Sequence, residues 1–192
     1  MTAKAKVEVV SEATLRTHLE RVIGFQHSVM EDGEETRLNH AVLVHPDEKI
    51  SMYALDMSMF GDWETKNKLM AVLVKDLYDK HGLCLALVTE GFGGKCPPHV
   101  DPKTLPDDLS QWPEEFRESV LLCSANAPNA QGIACHQVFH RRPGNVTYGP
   151  IVWWDMKVQS QRFCYDFRGV TRWQDAVQLV MLRGREGVAR TQ

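Results

Sequence analysis

Glu90-Gly91-Phe92-Gly93-Gly94-Lys95-Cys96-Pro97-Pro98-His99 gathers a carboxylate, an amine, a thiol and an imidazole in one short segment. A thiolate at Cys96 is favoured by the neighbouring Lys95 and by His99 when protonated. Glu90, placed at the end of a strand beside flexible glycines, occupies a reasonable position for an acid or base. These four residues define one expectation, a small hydrolase or transferase. Cys96-x-x-His99 also has zinc-ligand spacing, and Cys135-His136 with His140 is a second source of ligands. On a strand, however, His136 and His140 stand ~13 Å apart at ~3.3 Å per residue, too far to share one ion. No second paired motif accompanies the first. Zinc is therefore an alternative, and no cofactor is the leading expectation.

The glycine–lysine pair does not make a phosphate loop. That loop requires a glycine five residues before the Gly-Lys pair and a Ser or Thr after it, then a helix. Here Thr89 holds the first position, Cys96 the last, and Pro97-Pro98 oppose a helix. Cys123 lies in an apolar run and reads as core. The acidic pairs Glu34-Glu35, Asp107-Asp108 and Glu114-Glu115 read as solvated charge.

Trp153 and Trp154 are adjacent, so on a strand they point to opposite faces. One must leave the core unless helices cover both sides of the sheet. An outward tryptophan near Arg141 and Arg142 would make a protein-interface anchor, since Trp and Arg are enriched at binding hot spots. Trp153, Trp154, Arg141 and Arg142 are the expected binding residues.

These side chains must be carried by recognisable elements. Ser11 caps a helix over about 11–30, with Leu15, Leu19, Val22, Ile23 and Met30 at helical spacing. Residues 38–44 and 49–57 form a hairpin around His45-Pro46-Asp47-Glu48. In its second strand Ile50, Met52 and Ala54 mark the buried face. Asp62 caps a second helix that lies on the sheet and ends at His81-Gly82, with Gly82 in the left-handed position. Residues 83–89 read as a central strand, apolar on both faces. Residues 91–114 read as an irregular loop of the long kind that is usually functional or disordered. Then come strands at 118–125, 133–140, 152–158 and 163–167, an antiparallel meander. Thr171 caps a closing helix. Residues 1–10 and 184–192 are expected to be loose ends of a single domain spanning 1–192.

Within this order the chain resembles a loose class of small α+β proteins of phages, prophages and bacterial accessory genomes. The likeness covers roughly residues 62–150. It is carried by Lys80-His81-Gly82, the strand ending Val88-Thr89-Glu90-Gly91-Phe92, the proline-rich loop and Phe116-Arg117-Glu118-Ser119-Val120-Leu121-Leu122 opening the meander. In that class the strand ends in a Ser-Glu-Ala-Trp type motif, from which Thr89 and Gly91-Phe92 depart. The resemblance implies an α+β fold and a mobile-element origin, and transfers no activity to particular residues.

Charge and composition set the remaining bounds. The net charge of −3 conceals an asymmetry, with −4 over residues 1–96, −4 over 97–138 and +5 over 139–192. A basic C-terminal third can meet nucleic acid or an acidic partner, but its arginines are scattered. Five spread cysteines read as reduced thiols of the cytoplasm. No apolar run reaches the ~20 residues of a membrane span and no signal peptide is expected. The expectation is an antiparallel α+β domain of five to seven strands. It acts as a non-enzymatic binding protein through a protein partner or as a homodimer. Its narrower version, an inhibitor of a host defence complex, comes from the resemblance.

Overall fold

The computed structural model describes residues 10–31, 39–56, 62–106, 109–155 and 164–189. The pairs Glu34-Glu35 and Asp107-Asp108, and the expected strand residues 156–158 and Phe163, lie outside the described residues.

The first helix, α1, runs Glu12–Glu31. Ser11 opens it as the sequence predicts, accepting a hydrogen bond from the Thr14 amide at 3.1 Å. β1 (Asn39–Val44) and β2 (Ile50–Leu55) form the hairpin. α2 (Trp63–Asp79) follows, with the Asp62 carboxylate accepting from the Thr65 amide at 2.8 Å. Its C-terminus differs by one residue from the expectation. The Gly82 amide bonds back to the Leu77 carbonyl and the His81 amide to that of Tyr78. That pattern puts His81, at φ 51°, in the left-handed position. Gly82 is needed for another reason: a Cβ there would sit 2.5 Å from Leu43 Cδ1.

β3 (Cys84–Gly94), β4 (Arg117–Asn126), β5 (Ile133–Arg142) and β6 (Asn145–Trp153) complete one six-stranded, wholly antiparallel sheet in the order β2-β1-β3-β4-β5-β6. β3 is longer than predicted. Its second half, Glu90 to Gly94, pairs with Leu121 to Arg117, so the glycine-rich stretch is strand and the irregular connection begins at Lys95. That connection is tied by the Lys95 amide to the Phe116 carbonyl at 2.8 Å, and by Trp112 Nε1 to the Pro106 carbonyl at 2.6 Å. Its described residues hold three single-turn helical pieces at 102–104, 109–111 and 114–116.

The meander also departs from the reading by strand boundaries. β5 continues through Arg142, and Pro143-Gly144 makes a two-residue turn with Gly144 at φ 74°. β6 therefore begins at Asn145 and ends at Trp153, where a strand over 152–158 was expected. Pro150 is tolerated because β6 is an edge strand and Gly149-Pro150 sit at a bulge opposite Val138. The segment around Tyr165 makes one bridge, Gln131 to Asp166, rather than a strand. α3 spans Trp173–Ala189 with the Ala176 amide bonded to the Arg172 carbonyl. Arg172 thus takes the starting position expected of Thr171, and helix continues through 184–189.

Helices lie on both faces. α1 packs over β3, β4, β5 and β6, burying Leu15, Leu19, Val22 and Ile23 against Val88, Leu121, Cys123 and Cys135. α2 and α3 pack together on the other face, over Leu43, Leu85, Leu87 and Phe167. β1 and the first half of β3 are consequently buried on both sides, which explains the apolar runs Ala41–Val44 and Cys84–Val88. Among the described residues no helix is long and apolar enough to cross a membrane.

Candidate functional site

The register separates the four residues of the 90–99 segment. Glu90 lies inside β3, opposite Leu121, with a side chain only 7% exposed and 3.5 Å from Arg141. Lys95 and His99 are exposed, five and nine residues further on. The Cys96 thiol turns back on its own loop, donating to the Val100 carbonyl at 3.3 Å. No convergence of carboxylate, amine, thiol and imidazole results. Among the described residues no three His, Cys, Asp or Glu side chains gather as metal ligands, so Cys96 and His99 have no third partner beside them. His140 is exposed, and Cys135 is buried on the opposite face from His136.

The binding residues are separated as well. Trp153 pairs with Cys135 while Arg141 pairs with Val146, which puts ~20 Å of strand between them. Trp153 faces α1, where the Arg16 guanidinium lies 4.5 Å over its ring. Trp154 faces the other side and its Nε1 donates to His136 Nδ1 at 2.5 Å. An accepting Nδ1 leaves the His136 proton on Nε2. Arg141 is held over the Phe139 ring and toward Glu90. Arg142 is exposed at the hairpin tip.

Glu90 and Arg141 instead belong to a polar seam where the last turns of α1 meet the sheet. His27 Nε2 is 2.7 Å from Gln137 Oε1, and its ring stacks on Tyr148 at 3.6 Å. His40 Nδ1 is 3.0 Å from Gln26 Oε1, and the Glu90 amide donates to Asn39 Oδ1 at 3.1 Å. Burial lowers the His40 pKa from its ordinary value. These bonds fix the end of α1 against the strands and satisfy buried polar groups.

The opposite flank of α1 is different. Between α1 and the edge strand β2 runs an open groove of about 150 Å³, walled by His18, Arg21 and Phe25 and floored by Val42, Ile50 and Met52. Phe25 is 42% exposed, Ile50 56% and Met52 40%. The predicted alternation of β2 is present, but with the faces exchanged. Leu55 is buried and Tyr53 half-buried in the cluster under α2, and Ser51 is half-buried beside His45, while Ile50, Met52 and Ala54 stand open. The reason is coverage. α1 lies over β3–β6, and nothing among the described residues covers β2 on that side. Sequence reasoning assigned Ile50 and Met52 to the core because it could not see that this hairpin ends at the sheet edge. At the groove's end burial lowers the His18 pKa; Arg21 adds to this and Glu48 opposes it.

Compared with known proteins, the chain matches no family model, no curated protein and no solved structure.

Proposed function

We propose that this chain is a non-enzymatic binding protein acting through protein–protein contacts, and that its contact surface is the groove between α1 and β2. The observation that carries this is three large apolar side chains, Phe25, Ile50 and Met52, left open together beside β2, the edge strand of the sheet among the described residues. Exposed apolar side chains gathered in one groove with polar residues at its rim offer a partner surface to bury. Among the described residues the other large exposed apolar side chains, Val72, Val152 and Leu182, are on α2, β6 and α3, away from this groove.

Other features favour protein over the alternatives. Three arginines of the basic C-terminal third are joined to carboxylates: Arg141 to Glu90, Arg168 to Asp166 and Arg172 to Asp175. Their charge is partly spent within the molecule, which argues against a phosphate-binding face. The separation of Glu90, Lys95, Cys96 and His99 argues against the hydrolase or transferase reading. Five free cysteines, four of them buried, fit a reducing cytoplasm. The narrower reading, an inhibitor of a host complex, is supported only by the resemblance over residues 62–150.

Affinity capture from an extract of the native host tests the surface. Wild type and the controls Trp154→Ala and Arg142→Glu retain the same partner, and Met52→Asp and Ile50→Asp lose it. Equal retention by all five proteins would remove the groove from consideration.

A further inference from the structure

We infer that the occupant of the groove is an amphipathic helix of a partner protein, about three turns long, with acidic residues on the flank that faces α1. This inference rests on the groove being the contact surface and names what fills it.

Six strands at ~4.8 Å spacing make a sheet ~24 Å wide, and packed helices lie 8–10 Å apart, so each face has room for two. The far face carries two, α2 and α3. Among the described residues the near face carries one helix, α1, which lies mainly on β3 and β4 and packs on Val42 and Val44 of β1 but leaves β2 open. A helix placed ~9 Å from α1 on that side falls over β2 and the outer rim of β1, where the groove lies.

The open side chains then choose between a helix and a strand. A strand added to the β2 edge would satisfy backbone groups but would lie beside Ile50 and Met52 in the plane of the sheet. Phe25, on α1 above that plane, would stay uncovered. Edge-to-edge pairing of two copies through β2 leaves the same side chains open. An element in the helix layer covers Phe25, Ile50 and Met52 together. Met52 adds an adaptable surface of the kind that helix-binding grooves use.

Charge sets the flank. Arg21 and His18 stand on the α1 wall, and Arg21 forms no ion pair with a described residue. Glu48 lies at the β2 end of the groove. Acidic residues on the α1-facing side of the incoming helix would meet Arg21, and a basic residue at its end would meet Glu48.

The probe is a display library of random 14-residue peptides selected on the full chain. Binders are counter-selected on Met52→Asp and on the milder Ile50→Ser, with thermal melts confirming that both variants fold. The expected binders carry apolar residues at i, i+3 or i+4, and i+7, with Asp or Glu on one flank. They gain helical circular dichroism on binding, weaken at least tenfold against Met52→Asp, and weaken several-fold against Arg21→Glu. Binders with apolar residues at every second position, still sensitive to Met52→Asp, would overturn the helix and leave the surface standing. Self-association abolished by Met52→Asp, with no peptide selected, would give the groove to a second copy and overturn the helix. Neither peptides nor self-association dependent on Met52 would overturn both the helix and the surface.

Discussion

Arg141 on β5 reaches across β4 to bring its guanidinium 3.5 Å from the Glu90 carboxylate on β3. Two residues that the sequence placed in rival sites therefore stabilise each other. Glu90 is nearly buried, so loss of the cation leaves its charge less well compensated. Arg141→Ala is expected to lower unfolding free energy by about 1–2 kcal/mol in urea titrations. The same substitution is expected to leave partner binding unchanged.

The end of α2 makes an opposing pair of predictions. His81 is the residue with positive φ, so His81→Gly relieves strain and raises stability by about 0.5–1 kcal/mol. Gly82→Ala introduces a Cβ 2.5 Å from Leu43 Cδ1 and lowers stability by about 1–3 kcal/mol. Thermal melts of the two variants distinguish this arrangement from the sequence expectation, which gives Gly82 the left-handed role.

Thiol labelling reads out the core. Cys123 and Cys135 face each other across β4 and β5 under α1, and Cys84 and Cys164 are also buried. Only Cys96 is partly accessible. An aromatic disulfide reagent is expected to label one thiol of the folded protein rapidly and all five after unfolding. Fast labelling of two or more would mean that α1 opens readily.

Stability is expected to fall at both ends of the pH range. His40 and His18 have pKa values below their ordinary 6.5, chiefly through burial. Their contribution is present above pH 6.5 and is lost as pH falls below it, because the unfolded chain binds protons more readily. Burial pushes Cys84 from 9.0 up to about 12, and Tyr78 from 10.0 up to about 12. Folded groups that hold protons more tightly stabilise below their unfolded pKa. That contribution is lost as pH rises from about 9 toward 12. Melting temperatures measured from pH 5 to 11 check both limbs, and His40→Gln should flatten the acid one.

Much of the fold was legible because its signals are local. The Ser11 and Asp62 caps, the apolar periodicity of α1 and α2, and the two-sided apolar runs of β1 and β3 need no long-range knowledge. Gly91, Gly93 and Gly94 were illegible as strand because pairing with Arg117–Val120, not propensity, makes them extended. The Trp153-Trp154 question was posed correctly, since helices do lie on both faces. Its answer depended on where α1 sits. The same fact hid the groove. Alternation in β2 shows that one face is apolar, but only sheet order and helix placement determine which face is covered.

The most direct test of the proposed surface is methyl NMR of the chain with its captured partner. The Met52 and Ile50 methyl resonances are expected to shift and broaden on binding, while those of Val152 and Leu182 stay in place. Unchanged Met52 and Ile50 signals, with shifts at Val152 or near Arg142, would contradict the account.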